Sequence, residues 1–187
     1  GSGYLRSYLY FFFWFGYQAF INQLYLRYSN RLYNSVDHRK VSFQFYTQII
    51  VAIGFIYLAG AQNFLWLIAI PFLVQNYGVM SYISTNHNLS PLTKKNDPLV
   101  NSLTVLNHPF WEKVHLNFGY HVEHHIFPKV PGSKNKIIHE ELKKNFPDKF
   151  KVMPKAKAIK KLYSTPRIYN NAKELIHPDT METHTTI

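Results

Sequence analysis

From Phe45 to Ile83 the chain reads FYTQIIVAIGFIYLAGAQNFLWLIAIPFLVQNYGVMSYI, without one charged residue. No other stretch constrains the fold as strongly. A bilayer core takes about 20 apolar residues per helical crossing, so the run is long enough for two. Its interruption, Gly60-Ala61-Gln62-Asn63, is a cluster of small and polar residues of the kind that makes a turn. The reading is a transmembrane helical hairpin with spans at Val41–Ala59 and Phe64–Ile83. The competing reading is a buried hairpin in a water-soluble helical protein, and uncharged runs of this length are rare there.

The flanks orient the hairpin. Arg27, Arg31, Arg39 and Lys40 precede it, Lys94 and Lys95 follow it, and its turn carries no charge. By the positive-inside rule both ends face the cytoplasm, which makes everything from Ser84 onward cytoplasmic. Tyr4–Leu26 is also long enough to span, but Gln18, Asn22 and Gln23 break it and it is crowded with Tyr, Phe and Trp, which favour the headgroup level. Arg6 and Arg27 flank its two ends, so charge does not orient it.

After the hairpin the composition changes. The net charge of +11 divides into +4 over residues 1–128 and +7 over 129–187. Pro91, Asn96, Asp97 and Pro98 predict turns, so residues 84–118 read as a compact loop with short helices. Ile137, Ile138, Leu142 and Phe146 recur at helical spacing, Pro147-Asp148 ends that helix, and Ala156–Tyr163 reads as another. Residues 170–187 read as a polar C-terminal tail that frays. The expected class is an all-α integral membrane protein: a hairpin, an aromatic helix, a cytoplasmic helical cap and a basic tail. Without any Cys, disulfides, thiolate metal sites and a thiol nucleophile are excluded. The lysine-rich end holds no recognisable nucleic-acid module. It suits lipid headgroups, an acidic redox partner or plain solvation.

Within GYHVEHHIFP, His121, His124 and His125 form H-x-x-H-H. On a helix, residues three and four apart share a face, so the three rings are expected to project toward one small volume. Neutral imidazole suits iron, zinc and copper. The ring nitrogen left over usually donates to a carboxylate or carbonyl, for which Glu123 and Glu112 are candidates. The metalloprotease patterns H-E-x-x-H and H-x-x-E-H are absent. His87, just past the second span, stands where it can reach a metal held by the later cluster; the alternative is a helix-end His at the interface. His108 and His115 are expected to be structural. His38, His139, His177 and His184 read as surface residues.

GYHVEHHIFP resembles the third histidine box of the membrane fatty-acid desaturases, in which H-x-x-H-H is followed by an apolar residue, Phe and Pro, here Phe127 and Pro128. Asn117-Phe118 is similar to the family's approach to that box. STNHNLSPLTKKNDPLVNSL resembles the segment after the last span of acyl-lipid desaturases, and Thr165–Tyr169 resembles bacterial-type members. The resemblance implies a non-haem di-iron enzyme that uses O2 and two electrons to place a cis double bond in an acyl chain. It implies two Fe ions as cofactor, membrane lipid acyl chains as substrate, and ferredoxin or a b-type cytochrome as electron donor. It implies His121, His124 and His125 as iron ligands and His87 as a fourth. The nearest alternatives are a related di-iron hydroxylase acting on a lipid or sterol, and a non-catalytic membrane anchor with a lipid-binding basic tail.

The family's first two boxes are not matched; His38 is the only His in residues 1–86. The chain therefore resembles the C-terminal part of a desaturase domain over 1–169, with the remaining ligands outside it, and alone it is expected to be inactive. In the family the second box is cytoplasmic and the next span starts there, so residues 4–26 are expected to lie in the interface or to re-enter. A topology reporter fused at residue 1 is expected to read as cytoplasmic; an extracytoplasmic signal contradicts this arrangement.

Overall fold

The computed structural model describes residues 2–26, 35–166 and 168–187. Arg27 and Arg31, part of the expected basic flank, lie outside the described residues, as does Arg167. The chain divides into two compact units: Leu5–Met80, and Ser81–Ile187 with Gly1–Tyr4.

The first unit contains most of α1 (Ser2–Leu26), α2 (Ser35–Phe64) and the beginning of α3 (Ile70–His87). Leu65–Ala69 joins α2 to α3 as one π-helical turn in which the Ile70 N–H reaches back to the Leu65 carbonyl. Pro71 explains the wider turn. A proline inside an α-helix has no N–H to give and its ring collides with the carbonyl four residues back; a π-bulge opens the ladder locally. The expected break also has a physical cause. Gly60 has φ 69° and ψ 161°, a region essentially reserved for glycine, and it interrupts the helical torsions at the start of the predicted turn.

Residues 37–87 are the one helical run among those described that is long and apolar enough to cross a membrane, and only 6% of its most apolar window is buried in the protein. Ile50, Ile53, Phe55, Tyr57, Leu58, Leu65, Trp66 and Leu67 are all exposed. A soluble protein rarely exposes an apolar surface of this extent, whereas lipid solvates it without cost. The buried positions of the unit are few. Phe11 is enclosed, Phe12 stacks on Tyr77 at 5.3 Å and Phe20 meets Phe45 at 5.7 Å. Asn76 is a buried polar residue with both ends satisfied: its Oδ1 accepts from the Gly16 N–H at 2.7 Å and its Nδ2 donates to the Phe72 carbonyl at 2.8 Å. Gly16 permits this approach, because a Cβ there would lie 2.6 Å from the Phe72 ring.

In the second unit five short helices alternate with short strands. The helices are α4 (Pro98–Asn101), α5 (Pro109–Val114), α6 (His121–Ile126), α7 (Asn135–Asn145) and α8 (Lys155–Ser164). Strand β1 (Thr104–Leu106) pairs in parallel with β2 (Val152–Pro154), Thr104 opposite Val152. Val122, Leu142 and Phe150 form the core, with Leu99, Ile126 and Ile138 packed against it. Ala158 and Leu162 bury the inner face of α8, an amphipathic helix whose Lys157 and Lys160 face out.

Two expectations need correction here. The class is predominantly helical but not purely so, and the segment 170–187 does not fray. Strands β3 (Ile168–Asn171), β4 (Glu174–Ile176) and β5 (Thr183–Thr185) make an antiparallel sheet in the order β3-β4-β5. Leu175 is its buried anchor. The His177 ring closes the second turn by accepting from the Asp179 and Thr180 N–H groups, each at 3.2 Å. The sheet is tied to the segment after α3: the Leu92 N–H donates to Ala172 and the Ile187 N–H to Leu89, both at 2.8 Å, and the Tyr169 hydroxyl donates to the Ser90 carbonyl at 2.6 Å.

Lys155, at the start of α8, is half-buried. Its ammonium lies 3.5 Å from the centre of the Tyr82 ring and 3.4 Å from Thr85 Oγ1. Burial lowers its pKa to about 7, only partly opposed by the charge of Glu112. Between that value and the ordinary lysine range the unfolded chain binds the proton more tightly than the folded one. The stability penalty is therefore full below about pH 7 and disappears as pH rises through the window above it. Thermal midpoints are expected to rise from pH 7 toward pH 10 in wild type, and Lys155→Met is expected to flatten that rise. In the first unit, Gly60→Ala is expected to cost about 1–3 kcal/mol in detergent unfolding. Gly54→Ala, in helical backbone with open space around it, is expected to be neutral or to gain about 0.5–1 kcal/mol.

Candidate metal centre

Two elements far apart in sequence supply the centre. Helix α3 ends at His87, and the chain turns away at once, with the Ser90 N–H donating to the His87 carbonyl at 3.1 Å. Extended backbone then returns alongside: the Leu103 N–H donates to the Asn86 carbonyl at 2.9 Å, and β1 follows. Asn117 is held at φ 61° and Leu116 at φ 53°, a left-handed pair that folds the chain back into α6. Gly119 allows that return, since a Cβ there would lie 2.5 Å from the Val105 carbonyl oxygen. Helix α6 stops at Phe127-Pro128, because the residue before proline resists helical torsions.

On α6, His121 and His125 lie one turn apart and face the same way, toward His87. The His121 Nε2 is 2.8 Å from His87 Nε2 and 3.0 Å from His125 Nε2, and one ligand nitrogen from each ring falls within 4.8 Å of the others. Nitrogens at about 2.0–2.1 Å from a first-row ion and at right angles around it lie about 2.9 Å apart, so the spacing fits neighbouring positions on one ion. It fits a hydrogen-bonded trio poorly. A neutral imidazole nitrogen either donates once or accepts once in its ring plane, and His121 Nε2 faces two others.

Electrostatics favour the neutral, ligating form. The His121 pKa is lowered to about 3, first by burial and then by the neighbouring His87, His125 and His124. That of His87 is lowered by burial and by His125, against a hydrogen bond between its ring and the Asn101 main chain. His125 is lowered by burial and by His124. The Asn101 contact is the kind that orients a ligating ring. His121 is buried, His87 half-buried and His125 exposed, so the group opens on the His125 side.

His124 lies outside this trio. It lines a cavity of about 290 Å³ with Asn117, Phe118, Tyr120, His121 and Asn135, and its ring centre is 6.0 Å from that of His125. Neither candidate carboxylate turns toward the three imidazoles. Glu112 Oε1 accepts from the Asn107 N–H at 2.5 Å. Glu123 points to the opposite face of α6, with Oε1 2.6 Å from His139 Nδ1 and Oε2 2.6 Å from Thr104 Oγ1.

The remaining histidines sort by local contacts. His108 caps α5 by accepting from the Phe110 N–H. His115 Nδ1 is 2.9 Å from the Tyr82 hydroxyl, which also receives a hydrogen bond from Asn107 Nδ2. His184 pairs with Glu182 at 3.4 Å. His139, read from the sequence as a surface residue, is buried between the rings of Tyr120 and Phe150, centres 5.4 and 5.2 Å away. Its helical spacing from the core residue Leu142 was the signal available: the two sit three apart and share the inner face of α7.

Comparison with known proteins adds one finding. A family model described as fatty acid desaturase matches residues 2–155. No curated protein and no solved structure matches the chain. The matched span takes in the exposed apolar run and all three converging imidazoles, and by that match the chain belongs to the fatty acid desaturase family.

Proposed function

We propose that this chain serves an O2-dependent acyl-lipid desaturase, contributing His87, His121, His124 and His125 to a non-haem di-iron centre whose other ligands lie outside these 187 residues. One observation carries the reading: three imidazoles from α3 and α6 meet nitrogen to nitrogen at 2.8 and 3.0 Å inside a fatty acid desaturase match. Bound iron supplies the capacity to activate O2 and attack an unactivated methylene, which side chains lack.

The protein's own part is placement. His121, enclosed and held neutral, keeps its lone pair free of protons. His87 is oriented through its ring's hydrogen bond with the Asn101 main chain. His125, exposed, leaves one side of the group open to a substrate chain or to the absent ligands. The donor set is all nitrogen, which suits iron that must keep positions for O2. In this reading the spans 41–59 and 64–83 form a hairpin, residues 4–26 lie in or re-enter the interface, and the histidines and C-terminal sheet are cytoplasmic. An acyl chain then arrives from the bilayer, and ferredoxin or a b-type cytochrome delivers electrons from the aqueous side.

The test uses native membranes fed a saturated lipid with deuterated acyl chains. Mass spectrometry is expected to find loss of two deuterium atoms from the acyl chain without gain of oxygen; an added oxygen points to the hydroxylase, and unchanged lipid to the anchor. His121→Ala is expected to lower product at least 100-fold and to release bound iron, measured by metal analysis of the purified protein. His184→Ala, on the C-terminal sheet, is expected to leave both unchanged.

A further inference from the structure

Helix α6 carries two of the three converging imidazoles yet is a poor helix by itself. It has six residues, and Tyr120 at its N-cap provides no side-chain cap. A helix of this length does not persist without outside support. The support comes from its opposite face. Thr104 on β1 reaches across so that its Oγ1 accepts from the Val122 N–H at 3.3 Å, doing from another strand what an N-cap side chain does locally. The same hydroxyl donates to Glu123 Oε2 at 2.6 Å, and Glu123 Oε1 accepts from His139 Nδ1 of α7 at 2.6 Å.

Thr104 and Glu123 are completely buried and His139 nearly so. Burying a carboxylate is costly unless its oxygens are paired, and here both are. The carboxylate has two neighbours on two different elements, so it can settle only where β1 and α7 both allow. Glu123 is two residues from both His121 and His125, on the far side of the helix. Any rotation of α6 about its axis that moves the imidazoles breaks one of these contacts.

We propose that Thr104, Glu123 and His139 form a positioning relay that sets the rotation of α6 and with it the spacing of His121 Nε2 and His125 Nε2. The inference rests on the reading of those imidazoles as metal ligands. None of the three relay side chains touches the metal position; they act through the helix.

The experiment takes the 187-residue chain in lipid nanodiscs with Co²⁺ as probe, whose visible absorption reports imidazole ligation, and measures amide exchange at Val122 in parallel. Glu123→Gln keeps the shape but weakens the His139 and Thr104 contacts; Thr104→Val removes the hydroxyl and Thr104→Ser retains it. Glu123→Gln and Thr104→Val are expected to weaken Co²⁺ binding on the order of 10-fold, alter the absorption bands and speed exchange at Val122, leaving exchange at Leu162 in α8 unchanged. Thr104→Ser is expected to behave as wild type. Folded variants that bind Co²⁺ with wild-type affinity and spectrum overturn the proposal. If Glu123→Gln does not fold, the valine–serine contrast at Thr104 decides. If the wild type binds no Co²⁺, the metal reading itself fails; Val122 exchange then judges the relay, and an unchanged rate in Thr104→Val overturns it as well.

Discussion

Three imidazole nitrogens that face one another cannot all be satisfied by one another. A neutral ring nitrogen has one proton or one lone pair to offer in its plane, and protonating any of the three sets a cation beside its neighbours in a partly buried place. Burial and mutual repulsion therefore hold His87, His121 and His125 neutral. The cost of assembling such a group has to be met by the surrounding structure. Much of the second unit can be understood as the means of holding it.

That holding comes from two directions. Around His87, the chain turns at Ser90, returns at Leu103 and is closed over by the C-terminal sheet through Tyr169, Ala172 and Ile187. Around α6, the support is a buried polar chain through Thr104 and Glu123 to His139, beside the apolar contacts of Val122 with Leu142 and Phe150. Polar networks of this kind are costly when half satisfied and rigid when complete, and both Glu123 oxygens are engaged. Apolar packing alone would leave α6 free to slide or turn by small amounts, because dispersion contacts are weakly directional.

The first unit follows different physics. Its largest side chains face outward, and its rare buried polar residue, Asn76, is fully hydrogen-bonded within its own surroundings. The local departures from α-helix have covalent causes: Pro71 accounts for the π-turn and Gly60 for the break. Both were visible as residue types in the sequence. Their conformations were not, because a glycine-containing turn and a proline inside a helix each have several solutions. The fraying read into residues 170–187 failed for a related reason. Strands of three or four residues and mixed polarity show no clear alternation, and what orders them is a pair of main-chain bonds to residues about 80 and about 100 positions earlier.

What the sequence determined by itself is the chemistry in stock: an uncharged apolar run, the type of its breaks, the absence of thiols, and an H-x-x-H-H cluster whose i, i+4 pair must share a helical face. Those follow from composition and from a period of 3.6 residues, which are local properties. The tertiary structure decided which imidazoles meet. It brought His87 to His121 across 34 residues, left the His124 ring outside that trio in a cavity it lines together with His121, turned Glu123 away from the ligands, and buried His139 as its partner. These outcomes depend on long-range closure and on the need to pair a buried carboxylate, and neither is written in any short stretch of chain.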